Sequence, residues 1–260
     1  MTDWVRAKKQ LGQHFLTHQP TADQIVTSLE ATGSSVVLEI GPGMGVLTGG
    51  LLERFGERLR VIEIDRESVD YLDIHYPDLR GKILSSDFLK FDLQQLTTGQ
   101  VSVIGNFPYN ISSQILFHVL EYRSRVNEIV GMFQREVARR IVSGPGSKEY
   151  GILSVLMGAF YEGQYLFSVD EDKFKPAPKV KSGVVRFLRK PDISLPCSQQ
   201  TFFRVVKMAF NQRRKTLRNA LSALWMPEME ETGFGGLRAE QLRVEDFLLL
   251  AGIVERKNKE

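Results

Sequence analysis

The stretch VVLEIGPGMGVLTGGLLERF, residues 36–55, decides the fold. It begins with VVLEI, a short apolar and β-branched run that is typical of a buried strand. A glycine-rich turn follows, after which Leu47, Leu51 and Phe55 recur at i, i+4 and i+8. This spacing places the three side chains on one face of a helix. A buried strand, a tight turn and a helix with one apolar face predict the first part of a layered α/β domain.

The alternation of strands and helices continues along the chain. Further predicted strands are RVIEI (60–64), KILSSD (82–87), VSVIG (101–105) and EIVGMF (128–133). Because helical patterns follow several of them, we expect a mostly parallel sheet that helices cover on both faces. QYLFSV (164–169) and SGVVRFL (182–188) leave little room for a crossover helix, so they are predicted to form an antiparallel edge. The predicted sheet has seven strands.

The character of the sequence changes after Leu188. The segment RKPDISLPCSQQ (189–200) contains two prolines and several polar residues, which is typical of a linker. Every periodic segment beyond it is helical, and so short a stretch needs to pack on its neighbour. We therefore expect an α/β domain of residues 1–189, which includes an N-terminal arm, and a helical domain of residues 190–260.

Composition excludes several classes of protein. A single cysteine, Cys197, rules out an internal disulfide and a cysteine-based zinc site, and it is typical of a reducing compartment. The four histidines show no metal-ligand spacing, so no metal site is predicted. The N-terminus lacks the apolar core of a signal peptide, and the longest apolar run, FLLLAGIV (247–254), is too short to cross a bilayer. We expect a cytoplasmic protein without membrane contact, and its pI of about 8.9 points to anionic partners.

Polar residues and glycines follow the first three strands, at the edge of the sheet where α/β proteins bind ligands. The first turn carries Gly41, Gly43 and Gly45, a G-x-G-x-G pattern whose third glycine comes one place too early for a dinucleotide fingerprint. This mismatch argues against a bound pyrophosphate and favours a ligand without phosphates. Glu63 lies twenty residues after Gly43, the usual offset for a carboxylate that binds a ribose diol. Asp87 ends the third strand, where it can accept from an adenine amino group or cap a helix.

Together these residues predict a nucleoside pocket without phosphate contacts, as S-adenosylmethionine requires. Each has an alternative interpretation when taken alone. The glycines can serve tight packing, Asp87 can be only a helix cap, and Glu63 can be a solvated strand end. We favour the pocket because the three signals follow separate strands in the expected order.

The fourth strand ends in NFPYNIS, residues 106–112. The Asn106 side-chain oxygen and the backbone carbonyl after it can accept both amino protons of an adenine, which localises the lone pair on N6. Pro108 stiffens the turn, and Tyr109 offers a ring for base stacking, a contact worth roughly 1–3 kcal/mol. The alternative is a rigid turn with Tyr109 packed in the core. Beside a cofactor pocket, the loop is predicted to be the acceptor-amine site.

The N-terminal segment KKQLGQHFL, residues 8–16, combines two cations with a small apolar anchor and has no evident partner strand. We expect an arm that is mobile on its own and becomes ordered over cofactor and RNA, with Lys8 and Lys9 contacting the RNA. The alternative is a frayed terminus.

A second basic segment lies in the helical part of the chain. Between Arg204 and Arg218 there is no acidic residue, and the basic ones are Arg204, Lys207, Arg213, Arg214, Lys215 and Arg218. If the segment is one helix, Lys207, Arg214 and Arg218 share a face with Asn211. If Asn211 and Gln212 break the helix, the Arg-Arg-Lys group caps the next one. In either case we predict that the cluster contacts RNA phosphates, rather than being merely a solvated helix face.

The chain resembles the ribosomal RNA adenine N6-dimethyltransferase family, specifically its bacterial small-subunit branch. The resemblance rests on KKQLGQHFL, VLEIGPGMGVLT, VIEID, NFPYNIS, FKPAPKVKSGVVRF and FNQRRKTLRNAL, which span nearly the whole length. It implies a Rossmann-like S-adenosylmethionine-dependent methyltransferase fold. The implied cofactor residues are His14, Leu16, Gly41, Gly43, Glu63, Asp87 and Asn106. The implied reaction site comprises Asn106, Phe107, Pro108, Tyr109 and Phe174, with Tyr109 and Phe174 on either side of the adenine.

Two residues depart from the family pattern: His14 stands where many relatives have Asn, and Phe107 where many have Leu. The implied function is dimethylation of two adjacent adenines in a hairpin loop near the 3′ end of 16S ribosomal RNA. It would take place late in small-subunit biogenesis, on a pre-30S or 30S particle, and the enzyme would be a monomer.

The family also contains macrolide-resistance enzymes that methylate a large-subunit adenine, and proteins of the same fold that act by binding as assembly or transcription factors. FNQRRKTLRNAL and LRVEDFLLLAG favour the housekeeping branch. The intact NFPY motif and Glu63 argue against a purely binding role.

Overall fold

The computed structural model of the chain describes residues 4–191 and 194–257. The chain forms two compact units, one of Met1–Ala138 with Gly163–Arg189 and the other of Arg139–Glu162 with Lys190–Glu260. Residues 139–162 thus group with the C-terminal helices, although they precede the last strands of the sheet. The division into domains 1–189 and 190–260 stays a prediction, and positions 192–193 of the predicted linker lie outside the described residues.

The described residues form nine strands: β1 Phe15–Leu16, β2 Ser34–Ile40, β3 Leu59–Glu63, β4 Ile83–Ser85, β5 Gln100–Asn106, β6 Val126–Gln134, β7 Tyr161–Val169, β8 Phe174–Lys175 and β9 Ser182–Arg189. Seven of them form one sheet in the order β4-β3-β2-β5-β6-β9-β7, and β1 and β8 pair separately. The pairs β3–β4, β2–β3, β2–β5 and β5–β6 are parallel, and β9 pairs antiparallel with β6. The predicted fold class is therefore confirmed, including an antiparallel strand near one edge.

Helices follow most of the strands. They are α1 Gln19–Thr27, α2 Thr48–Phe55, α3 Arg66–His75, α4 Ser112–Glu121, α5 Arg135–Ile141, α6 Ile152–Phe160, α7 Gln199–Asn211, α8 Leu217–Ala220, α9 Pro227–Glu230 and α10 Val244–Lys257. The predicted apolar face of α2 is buried through Leu47, Leu51 and Phe55. Within the described ranges, no helix combines the length and the apolar character needed to span a membrane.

Strand order determines which side chains meet. Because β3, β2 and β5 are neighbours and run parallel, their carboxyl ends lie side by side at one edge of the sheet. Glu63, the glycine turn that begins at Gly41, and Asn106 come from these three ends. The sheet therefore brings together three residue groups that are far apart in sequence.

The N-terminal arm does have a partner strand, so the sequence-based expectation was wrong on this point. Phe15 and Leu16 form β1, which pairs antiparallel with β8, with Phe15 opposite Lys175 and Leu16 opposite Phe174. A two-residue strand carries no period-2 signal, and its partner lies far away along the chain. Local patterns therefore could not reveal the pairing.

In the second unit, aromatic rings join α6, α7 and α10. The Phe160 and Phe202 centroids are 6.3 Å apart, and those of Phe210 and Phe247 are 5.7 Å apart. The ring of Tyr150, just before α6, lies 6.0 Å from that of Phe210. These contacts fit the predicted apolar face of α7, where Phe202, Val206 and Phe210 are buried and Phe203 is half-buried.

Candidate active site

A cleft of about 240 Å³ opens at the shared carboxyl edge of β2, β3 and β5. Its lining includes most of the predicted site residues: His14, Gly41, Gly43, Glu63, Asp87, Asn106, Phe107, Pro108 and Tyr109. Leu16 and Phe174 are outside this lining and are buried opposite each other in the β1–β8 pair. Leu16 instead lines a neighbouring cavity of about 30 Å³, together with Asn106 and Glu39.

The glycine turn after β2 needs its glycines for both conformation and packing. Gly43 has a φ of +57°, in the left-handed region that side chains disfavour. A Cβ atom there would lie 2.8 Å from the Phe15 ring, which lines the cleft. Tight packing and a close backbone approach to the cleft therefore occur together, so the two interpretations of the glycines are compatible.

Glu63 is a buried carboxylate with only 5% of its surface exposed, so it is not a solvated strand end. Its Oε1 accepts hydrogen bonds from the backbone N–H groups of Ile64 at 2.9 Å and Asp65 at 2.8 Å. Among the described residues its Oε2 accepts one hydrogen bond, from the N–H of Gly43 at 3.2 Å, and so keeps a lone pair for a ligand. Burial raises the pKa of the Glu63 carboxyl, while the backbone donors partly oppose the rise.

Replacing Glu63 by alanine is expected to weaken cofactor binding by roughly 1–3 kcal/mol, because buried hydroxyl donors of the ligand lose their acceptor. Glu63→Gln is the matched control that keeps the side-chain volume; because its amide nitrogen replaces one acceptor oxygen and all three backbone partners of Glu63 are N–H donors, it should also lose affinity. Titration calorimetry on folded variants measures both changes. Unchanged affinity in Glu63→Ala would remove this residue from the cofactor site.

Asp87 caps a helix and also lines the cleft, so the two alternatives that the sequence left open are compatible. Its Oδ1 accepts from the N–H of Leu89 at 3.0 Å and caps the short helix Phe88–Lys90. The residue also lines the cleft. The second oxygen, Oδ2, lies 3.9 Å from the exposed Lys90 ammonium, and it retains lone pairs that can accept from an amino group.

Asn106 is oriented by the N-terminal arm. Its Nδ2 donates to the backbone carbonyl of His14 at 2.9 Å. Because a carbonyl oxygen can only accept, this contact determines which end of the amide faces the arm, and it leaves Oδ1 as an available acceptor. The family resemblance implied that His14 lines the cofactor site. The structure shows that its backbone carbonyl orients Asn106, and this group is the same whether the residue is His or Asn.

The rest of the NFPY loop is held rigidly. Phe107 is 1% exposed and packs edge-on against Phe133 at 5.2 Å, so it anchors the loop in the core. The Tyr109 hydroxyl is hydrogen-bonded to Ser182 Oγ at 2.5 Å. Burial raises the pKa of Tyr109, which keeps the hydroxyl neutral. The Tyr109 ring stacks with the His14 imidazole at 5.4 Å between centroids.

The arm is attached on both sides of the cleft. On one side Lys8 forms an ion pair with Asp65 and lies 3.1 Å from Glu67, and Gln13 Nε2 donates to Asp65 at 3.0 Å. On the other side Asn110 Nδ2 donates to the Gln10 carbonyl at 3.3 Å. These contacts engage the charge of Lys8, which was predicted to bind RNA, whereas Lys9 is exposed.

Glu39 is a buried carboxyl that sequence reasoning did not assign. It is 1% exposed, accepts from Thr48 Oγ1 at 2.7 Å, and lines the small cavity beside Asn106. Burial raises its pKa from 4.5 to about 8; the Thr48 hydrogen bond opposes this rise and the nearby Glu63 adds to it. Its position within an apolar strand was the only signal, and that signal did not distinguish a buried acid from an exposed one.

The raised pKa of Glu39 links stability to pH. Between its unfolded value of 4.5 and its folded value of about 8, the folded state holds a proton that the unfolded state lacks. The stability this proton contributes is complete below pH 4.5 and is lost as pH rises through 8. The side chain introduced by Glu39→Gln is neutral at every pH. Over this pH range the unfolding free energy of the variant should therefore fall less than that of the wild type, by on the order of a few kcal/mol. Parallel curves of unfolding free energy against pH for the two proteins would contradict this.

The basic segment of the second unit divides into engaged and exposed cations. Helix α7 ends at Asn211, so the interpretation as one continuous helix is wrong, and Thr216 rather than the Arg-Arg-Lys group is the N-cap residue of α8. Arg213 donates to the Lys148 carbonyl at 2.8 Å and lies 3.7 Å from Glu240.

Arg218 is paired with Glu230, and the Lys207 ammonium lies 6.0 Å from the centre of the Phe203 ring. Arg214 and Lys215 are exposed. Arg204 is exposed as well, so the structure separates the cluster into cations with protein contacts and three that face solvent.

Comparison with known proteins agrees with this arrangement. The family model described as ribosomal RNA adenine dimethylase matches residues 5–255. The chain is 54% identical over 253 residues to ribosomal RNA small subunit methyltransferase A of Flavobacterium johnsoniae, covering 96% of this chain and 97% of the relative. It is 50% identical over 255 residues to the protein of that name from Cytophaga hutchinsonii, covering 97% and 99%.

Among solved structures, a dimethyladenosine transferase from Plasmodium falciparum has the same fold. The TM-score is 0.81 at 23% identity, over 94% of this chain and 98% of that one. The resemblance drawn from the sequence motifs is therefore confirmed: the chain belongs to the ribosomal RNA adenine dimethylase family.

Proposed function

We propose that this enzyme transfers methyl groups from S-adenosylmethionine to the N6 amines of two adjacent adenines in small-subunit ribosomal RNA. The observation that carries the proposal is the orientation of Asn106. Its Nδ2 is bound to the His14 carbonyl, so its Oδ1 is available to an incoming amine inside a cleft that also contains Glu63.

The residues of the cleft fit this cofactor. The lining offers two carboxylates, Glu63 and Asp87, and within the described chain it contains no lysine or arginine; beside it, the exposed Lys90 ammonium lies 3.9 Å from Asp87. Such a lining suits a ligand with ribose hydroxyls, an adenine amino group and a positive sulfonium, and it is unfavourable for a phosphorylated nucleotide. Glu63 would hold the ribose diol and Asp87 the adenine amino group. When bound, S-adenosylmethionine supplies an electrophilic methyl group.

The residues of the chain contribute orientation rather than proton abstraction. Asn106 Oδ1 accepts a hydrogen bond from the adenine amine, which holds the amine in place and keeps its lone pair on nitrogen. Tyr109 stacks on the base, and its hydroxyl is engaged by Ser182, so it is not a general base. None is needed, because an alkylated amine loses its proton readily.

The substrate assignment rests on relatives named ribosomal RNA small subunit methyltransferase A, at 50% and 54% identity. The target is a hairpin loop near the 3′ end of 16S ribosomal RNA, presented on a pre-30S or 30S particle late in biogenesis. The enzyme acts as a cytoplasmic monomer. Exposed Arg214 and Lys215 contact RNA phosphates, and Lys9 contributes from the arm.

The test is incubation of the enzyme with undermethylated small subunits and radiolabelled cofactor, followed by mapping of the modified nucleotides. Label on two adjacent adenines as N6-dimethyladenine supports the proposal. Label on large subunits instead would place the enzyme with the macrolide-resistance branch. Stable binding to small subunits without label transfer would indicate an assembly factor.

A further inference from the structure

Trp4 is an exposed aromatic residue near the cleft. It is 42% exposed, although the next residue, Val5, is buried at 4% and its N–H contacts the Met44 sulfur at 3.5 Å. The indole meets the Phe15 ring edge-on at 6.4 Å. The Lys175 ammonium lies 4.9 Å from the centre of the indole.

The position of Trp4 relative to the cleft follows from its neighbours. Phe15 lines the cleft on one side and meets Trp4 on the other. Phe15 also pairs in register with Lys175, the residue after Phe174. Trp4 and Lys175 are therefore each one contact away from the lining of the cleft: Trp4 through Phe15, and Lys175 through Phe15 and through its neighbour Pro176, whose carbonyl accepts from His14 Nδ1 at 2.8 Å.

Lys175 differs from Lys173 and Lys181, the lysines on either side of it that are paired with carboxylates. Lys173 lies 3.4 Å from Asp172, and Lys181 lies 2.7 Å from Asp170. Lys175 has no carboxylate within ion-pair distance among the described residues, and its contact is with the indole. An exposed aromatic ring beside a cation without a carboxylate partner is the combination with which proteins bind single-stranded nucleic acid.

We infer that Trp4 and Lys175 form a binding site for the nucleotide next to the target adenine, with the indole stacked on its base and Lys175 on its phosphate. The inference rests on the proposed function, which requires a base to leave its stack. The neighbour of an extruded base loses a stacking partner, and an exposed indole near the cleft replaces it. Trp4 and Lys175 are thus positioning residues for the RNA.

Tryptophan fluorescence provides a direct test, because the chain has only two tryptophans, Trp4 and Trp225. In Trp225→Phe, a single-stranded RNA oligonucleotide with two adjacent adenines should quench the remaining Trp4 emission. If Trp225→Phe does not fold, the quenching difference between wild type and Trp4→Phe reports the same contact. Unchanged Trp4 emission at every RNA concentration up to the solubility limit overturns the inference.

Kinetics on undermethylated small subunits provide a second readout. Trp4→Ala should raise the KM for subunits by roughly 5- to 150-fold, with kcat and cofactor affinity little changed. Trp4→Phe keeps a ring and should restore most of the loss. Lys175→Glu should raise KM and flatten its salt dependence, whereas the matched control Lys179→Glu should not. A wild-type KM in Trp4→Ala overturns the inference while the proposed function stands; absence of methyl transfer by the wild type overturns the proposed function itself.

Discussion

Replacing Asn106 by alanine is expected to lower the rate of methyl transfer at saturating cofactor by about 100-fold or more. The substitution removes the Oδ1 acceptor that orients the adenine amine. It also leaves the His14 carbonyl without its donor, so some loss of cofactor affinity should accompany it. Binding of small subunits should change much less, because the amide acts mainly on the way to the transition state. Single-turnover rates with labelled cofactor separate these effects.

The matched control is Asn110→Ala. Asn110 also donates to an arm carbonyl, that of Gln10 at 3.3 Å, and it lines the cleft, but it is exposed and is not among the residues predicted to contact the amine. If Asn106 acts only by holding the arm, the two variants should lose activity to a similar degree. If it acts on the amine, Asn110→Ala should retain most of its activity. Near-normal turnover by folded Asn106→Ala would exclude the mechanism.

The double reversal of Arg214 and Lys215 to Glu should weaken binding to small subunits by at least about tenfold at low salt. The slope of log affinity against log salt should flatten by about 1.5, as expected for the loss of two phosphate contacts. Cofactor affinity and the identity of the modified nucleotides should not change, because phosphate contacts carry no base readout. Filter binding over a salt series measures both quantities.

Two comparisons complete this experiment. Reversal of exposed Arg256 and Lys257 makes the same charge change at the end of α10 and should leave the salt slope nearly unchanged. Arg213→Ala should instead lower the free energy of unfolding by about 1 kcal/mol, because the Arg213 guanidinium donates to the Ser147 and Lys148 carbonyls. If the first double reversal binds small subunits with wild-type affinity and slope, RNA contacts the protein elsewhere.

The sheet and the edge that carries the site could be predicted because their signals are local. Apolar β-branched runs indicate strands. Polar residues at the carboxyl ends of neighbouring parallel strands lie close together at one edge of the sheet, independently of the loop conformations. Glu63 and Asn106 were found in this way, and both line the cleft. The glycine turn after Ile40 was recognised from spacing alone.

What the sequence could not provide was pairing between distant residues. Lys8 and Arg213 were both taken as RNA contacts because they lie in runs of positive charge. The partners that engage them, Asp65 and the Lys148 carbonyl, are brought near only by the tertiary fold. For the same reason the contact between the His14 carbonyl and Asn106 carries no sequence signal, since a backbone carbonyl is present at every position.

The membership of residues 139–162 in the second unit has a consequence for how this protein can be divided. Helix α6 buries Phe160 against Phe202, and Tyr150 packs on Phe210. A fragment that begins at residue 190 would expose these surfaces and would fold poorly. Chimeras between relatives that join at 189/190 would combine α6 of one parent with α7 of the other, so a working exchange has to carry both segments. During synthesis on the ribosome, α6 emerges before α7 and α10, so its apolar face stays exposed until those helices have been made.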